Sequence, residues 1–195
     1  NLGYTALVPV QLHVGNTRPT AGVLWLRYDP AKVQPDVNAF EFVVVDVEGN
    51  PILDNQGNAM TSHGPVRREQ VLEDASKQVD FEIHPEGSIS IAYYGVNSNS
   101  IAPGAMMTVA FKVQPGVADN IVIPIEGAET GDPVQFMRNG VLETASSSAT
   151  YEATGGNVQE LGVSISDGRV VVPCTPPVAP TGVTASQGQP DAVAV

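Results

Sequence analysis

Apolar and polar residues alternate with a period of two along most of this chain, the repeat that turns one face of a β-strand into a core. In the first such run Val8, Val10, Leu12 and Val14 fall on one side and Pro9, Gln11 and His13 on the other. Leu24, Leu26 and Tyr28 repeat the pattern. Val79, Phe81 and Ile83, then Ile89, Ile91 and Tyr93, flank Pro85-Glu86-Gly87 and predict a hairpin whose glycine takes the positive φ of a short connection. Further alternating runs occupy Met107 to Val113, Ile121 to Ile125 and Leu161 to Ile165, and an Asp167-Gly168 turn leads into a last strand, Arg169 to Val172. About eight or nine strands separated by turn signals predict an all-β, antiparallel β-sandwich of two packed sheets.

Only Pro65 to Lys77 reads as helical: proline opens the turn, and Val66, Val71, Leu72 and Ala75 make an incomplete apolar stripe, hence a short surface helix. Residues 144–157 carry no periodicity and read as a long loop. From Pro173 to Pro180 the composition turns proline-rich, the mark of a stiff linker, so the sandwich domain is expected over residues 1–172. The remaining residues, 181–195, resemble the opening strands of a fibronectin type III module.

Composition sharpens the class. The chain holds 29 Val and 9 Ile against 9 Leu, a bias toward β-branched side chains that suit pleated surfaces. Nineteen glycines and 16 prolines supply turns. A net charge of −12 makes nucleic acid and anionic membrane surfaces poor partners, because both need clustered cations; the adjacent pair Arg67-Arg68 is followed by Glu69, Glu73 and Asp74. A single cysteine, Cys174, allows no intrachain disulfide and no cysteine-based zinc knuckle. No apolar run approaches the roughly 18 residues of a membrane helix. The chain opens at Asn1 without Met or a signal peptide, so a mature, processed or excised piece is expected. Few Lys and Cys with much Thr, Ser, Asn and Gly suggest an extracellular, secreted or cell-surface setting.

Catalytic signatures are missing: there is no Gly-x-Ser-x-Gly, no His-Glu-x-x-His and no phosphate-cradling glycine loop. The expectation is a protein that is not an enzyme. His13, His63 and His84 each stand apart from other ligand types. Asp46-Val47-Glu48-Gly49-Asn50 and Asp54-Asn55-Gln56-Gly57-Asn58 repeat one pattern, and Asp46 and Asp54 are candidate ligands for Ca2+. The same spacing also serves as plain turn chemistry, in which Asx side chains bond their own backbone. No resident cofactor is otherwise expected.

Five blocks in order resemble cohesin modules: Val8 to Leu12, the alternating strand Ala21 to Pro30 with its Tyr-Asp-Pro ending, Gly87 to Tyr93, Gly104 to Val113, and Ser164 to Val172 as a closing hairpin. The resemblance covers residues 4–172, with 47–78 and 126–160 longer than in a minimal cohesin. It implies a jelly-roll sandwich of about nine strands, related to carbohydrate-binding modules, whose flatter sheet docks a dockerin, a small calcium-loaded helical module. Block by block it places Ala21, Val23 and Trp25 on that face, with His84 and Tyr94 beside them. Trp25 then reads either as an exposed anchor for a protein partner or as a ring covered by a long loop. Two other roles stay open. A carbohydrate-binding row would need more exposed aromatics than Trp25, Tyr94 and Tyr151. Homo-assembly could proceed by strand addition of residues 181–195 to a sheet edge.

Overall fold

The structure, a computed structural model, describes residues 4–46, 48–138, 141–145, 147–154 and 156–173. Cys174, most of the proline-rich linker and the fibronectin-like run 181–195 lie outside the described residues.

One sheet is built on β9 (Gly104–Val113), which is buried on both faces from Met106 to Phe111; the run is apolar but for Thr108, whose hydroxyl donates to the Glu69 carboxylate at 2.6 Å. β1 (Thr5–Leu12) runs antiparallel along one edge of β9; β3 (Val33–Pro35) and β6 (Val66–Arg68) follow each other along the other. β1 keeps its alternation, with Val8 buried, Val10 and Leu12 half-buried and Leu7, Pro9 and Gln11 exposed. The second sheet places β2 (Ala21–Arg27) beside β8 (Ser88–Tyr94), which pairs with β7 (Gln78–His84) across the expected hairpin. Gly87 in that turn has φ 104°, and a Cβ there would meet the side chain of Pro30 at 2.7 Å. Beyond β2 lie β10 (Val122–Gly127) and β13 (Ala149–Thr154), with β15 (Gly168–Val171) outside the first and β14 (Asn157–Leu161) outside the second.

Between the sheets, Leu26, Ile89, Ile91 and Ile125 meet Val109 and Phe111 in one apolar cluster. The Tyr28 ring, closing the Tyr-Asp-Pro block, packs edge-on to Phe111 with centroids 5.5 Å apart. Antiparallel all-β architecture is thus as the alternation predicts.

Three expectations are corrected. Helix α1 covers only Gln70–Asp74, because Val66 to Arg68 extend as β6 against Met107 to Val109 and burial on β9 outweighs helical propensity. The stretch read as a loop, 144–157, contains β13 and the start of β14. Its Thr150 points inward but is satisfied by the Tyr93 hydroxyl at 2.6 Å, so the strand needs no apolar alternation. The expected closing hairpin is not formed: β15 pairs with β10, and the Asp167 carboxylate accepts from the Gly127 N–H at 3.2 Å, tying the bend to β10.

Two strands of the sandwich are interrupted. β3 and β6 occupy one line along β9, and residues 36–65 leave that line as an excursion containing the hairpin of β4 (Phe40–Val43) and β5 (Thr61–Gly64). β10 and β13 likewise share one edge of β2, and residues 128–148 leave it as an excursion holding β11 (Val134–Arg138) and β12 (Val141–Ala145).

Candidate protein-docking face

The outer face of the β2 sheet follows from its register. Residues directly opposite in an antiparallel ladder share a face, so three rows cross the sheet: Glu82, Ser90 and Trp25; then Asp80, Ala92, Val23 and Ala149; then Gln78 with Tyr94, and Ala21 with Tyr151. His84 falls in a further row with Ser88 and Arg27, so Ala21, Val23, Trp25, His84 and Tyr94 share this face.

Their exposure differs. Ala21 and Val23 are half-buried and Tyr94 is 41% exposed, whereas Trp25 is 6% and His84 1% exposed. Of the two readings of Trp25 the structure gives the covered ring, not the exposed anchor, and His84 beside it is buried as well. The excursion that leaves the edge of β2 folds back over that end of the sheet. Trp25 forms a second apolar cluster with Ala128, Val134 and Phe136, against which Val23 packs. Its ring stacks on His84 with centroids 5.1 Å apart and an interplanar angle of 19°, and Phe136 contacts both, at 5.2 Å from Trp25 and 4.7 Å from His84.

The cover is pinned at several points. Arg138 pairs with Glu82 of β7 at 2.8 Å and reaches Glu143 of its own hairpin at 3.5 Å. The Met137 N–H donates to the Glu86 carboxylate at 3.3 Å, and Arg27 pairs with Asp132. Under the hairpin, the Trp25 N–H donates to the Ser148 hydroxyl at 2.8 Å and its carbonyl accepts from the Ala128 N–H at 3.0 Å. Burial pushes the His84 imidazole below its usual pKa; the Glu82 and Glu86 carboxylates pull it up and Arg138 pushes it down.

Sequence reasoning missed Phe136, Arg138 and Ser148. A signal was present: Val134 and Phe136 alternate ahead of Asn139-Gly140, a hairpin-turn dipeptide.

What stays open is the other half of the face, where Val23, Ala92 and Tyr94 are flanked by exposed Asp80 and Glu160. No group of three or more His, Cys, Asp or Glu among the described residues is placed to hold a metal ion. Asp46 and Asp54 instead close two matching turns. Asp46 Oδ1 accepts from the N–H groups of Glu48 and Asn50 at 3.0 and 2.9 Å, and Asp54 Oδ1 from those of Gln56 and Asn58 at 2.8 and 2.9 Å. These bonds hold both carboxyls below the usual carboxylate range.

No protein-family model matches the chain, and no curated protein does. Solved structures do match. The seventh ScaB type I cohesin from Pseudobacteroides cellulosolvens superposes with a TM-score of 0.53 at 14% identity, over 91% of this chain and 88% of that one. The sixth cohesin from the scaffoldin B of Acetivibrio cellulolyticus, in complex with a mutant dockerin, superposes with a TM-score of 0.51 at 11% identity, over 88% of this chain and 91% of that one. The fold is that of a cohesin. At such identities the likeness lies in the path of the chain and not in its side chains.

Proposed function

We propose that this cohesin-like chain is a non-catalytic docking module that binds a dockerin-type protein on the open half of the outer face of the β2 sheet. One observation carries the reading: a cohesin of the same fold was crystallised in complex with a dockerin. The face itself supports it. Val23, Ala92 and Tyr94 give a small apolar centre, and Asp80 and Glu160 give a charged rim, the composition that protein interfaces favour. Tyr94 replaces Trp25 as the aromatic that reaches solvent. An extracellular or cell-surface setting accords with this role, and no helix among the described residues is long and apolar enough to cross a membrane.

Titration calorimetry against a panel of calcium-loaded dockerin modules tests the proposal. One-to-one binding is expected, weakened by about tenfold or more in Tyr94→Ala and Val23→Glu, since central aromatic and apolar contacts carry most interface energy. Binding that ignores both substitutions overturns the assignment of the face. Failure to bind any member of the panel overturns the assignment of the partner class.

A further inference from the structure

The hairpin of β11 and β12 is attached to the sheet beneath it by side chains. Among the described residues no backbone–backbone hydrogen bond joins residues 133–145 to β2, β7 or β8. Its ties are Val134 and Phe136 packed with Trp25, the exposed Arg138–Glu82 pair, the Met137 N–H on the Glu86 carboxylate and, just before β11, Arg27 with Asp132. Between hairpin and sheet lies a cavity of about 460 Å3, bounded by Arg27, Glu86 and Ser88 on one side and Val134, Gln135 and Thr144 on the other. The Arg27 Nε is buried without a hydrogen-bond partner, a cost that the closed arrangement carries. The base of the excursion is tied more firmly, by the Ser148 N–H on the Ala128 carbonyl at 3.1 Å and the Gly131 N–H on Ser147 Oγ at 2.8 Å. Gly131 has φ 87° with nothing within 4 Å of where a Cβ would stand, so the hairpin can swing there while β2 keeps its ladders.

His84 lies under this cover, its ring against those of Trp25 and Phe136 and its Nε2 3.4 Å from Ser90 Oγ. The charges that face it are Glu82 of its own strand, Glu86 of the following turn and Arg138 of β11. Glu82 is engaged by Arg138, and Glu86 by the Ser88 hydroxyl at 3.0 Å and the Met137 N–H. Glu143 of β12 adds to Arg138, Arg27 of β2 is paired with Asp132, and β8 presents only the hydroxyls of Ser88 and Ser90. A proton on His84 would therefore sit between aromatic rings with both nearby carboxylates already in use. We propose that the β11–β12 hairpin is an acid-sensitive lid, which protonation of His84 lifts to expose Trp25 and His84 on the outer face of the β2 sheet. Burial holds the closed imidazole below its ordinary pKa of 6.5, and opening restores that value. Near pH 5 the open form therefore gains up to about thirtyfold over its share at neutral pH. On the docking reading, acidification adds the Trp25 row to the surface offered to the partner; that consequence rests on the reading, whereas the lid itself does not.

Trp25 is the chain's single tryptophan, so acrylamide quenching of its fluorescence in the full chain, measured without a partner, reads the lid alone. Between about pH 7.5 and about pH 5 the quenching constant of the wild type should rise about threefold or more while the far-UV circular dichroism stays constant. His84→Phe and His84→Gln, which cannot take up the proton, should show no such rise. An equal rise in these variants, or none in the wild type, overturns the proposal. So does a rise accompanied by loss of the β-sheet signal, which reports unfolding of the domain. The wild type alone also decides the matter through the midpoint of its transition: a rise that begins only below 4.5, the ordinary glutamate value, assigns the opening to Glu82 and Glu86 and overturns the role of His84.

Discussion

Truncating Trp25 to alanine removes the ring on which His84 and Phe136 stack, and leaves a void the neighbouring strands cannot fill. A loss of about 3–5 kcal/mol of stability is expected, read from denaturant midpoints, together with faster proteolysis of residues 134–145. His84 adds a pH signature. Its folded pKa lies below the unfolded value of 6.5 because burial disfavours the imidazolium. Above the unfolded value both states are neutral and its contribution is fully present. As pH falls from there through the folded pKa, the unfolded chain takes up the proton first and stability drains away. The difference in stability between wild type and His84→Phe should therefore shift against the wild type on mild acidification, which parallel denaturant titrations at two pH values check. Gly22 is a third such position: a Cβ there would collide with the Tyr93 hydroxyl and lie 2.6 Å from the Ala149 carbonyl. Gly22→Ala should pry β13 from β2, seen as a lower melting temperature. The resemblance to cohesin blocks assigned Trp25, Val23 and Tyr94 to one face. It could not say what lies on that face, because the covering side chains arrive from an excursion far along the chain.

At the scale of elements, the hairpin of β11 and β12 is held mainly by the burial of Val134 and Phe136 and only secondarily by exposed ion pairs. Arg138 and Glu82 are each nearly half exposed, so Arg138→Ala should cost less than about 1 kcal/mol. Phe136→Ala should cost about 3 kcal/mol or more. Reversed magnitudes in unfolding experiments would show that charge, not packing, holds the cover. Elements were legible where one face is apolar and the other polar, as in β1, β7 and β8. They were illegible where this rule is suspended: in β13, whose inward Thr150 is satisfied by a hydroxyl, and in β6, too short to show a period. The excursion over β2, too, is a short hairpin whose Val134 and Phe136 pack on the outside of a sheet, where no core periodicity announces them.

The whole molecule is strongly acidic, with a net charge of −12, and its open face is rimmed by Asp80 and Glu160. If that face docks a partner, the partner's surface should be basic, and the association rate should fall as salt is raised while dissociation changes little. Surface plasmon resonance across a salt series reads both. Two sheets, their antiparallel sense and the apolar core between them could be foreseen from the chain. The irregular path of residues 162–167 could not, since the alternation of Val163 and Ile165 is that of a paired strand.

The placement of the two excursions has a consequence for how such a domain can change. Each leaves a strand line and rejoins it on the same edge, so β2 and β9 keep their ladders across the break. The hairpins can therefore lengthen, shrink or be exchanged without re-registering the sheet beneath them. Replacing residues 131–147 with a minimal turn, while substituting the ring of Trp25 by a polar side chain, would redraw the outer face of the β2 sheet and keep Glu129 and Thr130, which hold Val163 and Ile165. A single framework can thus diversify its outer surface by insertion, leaving its core alone.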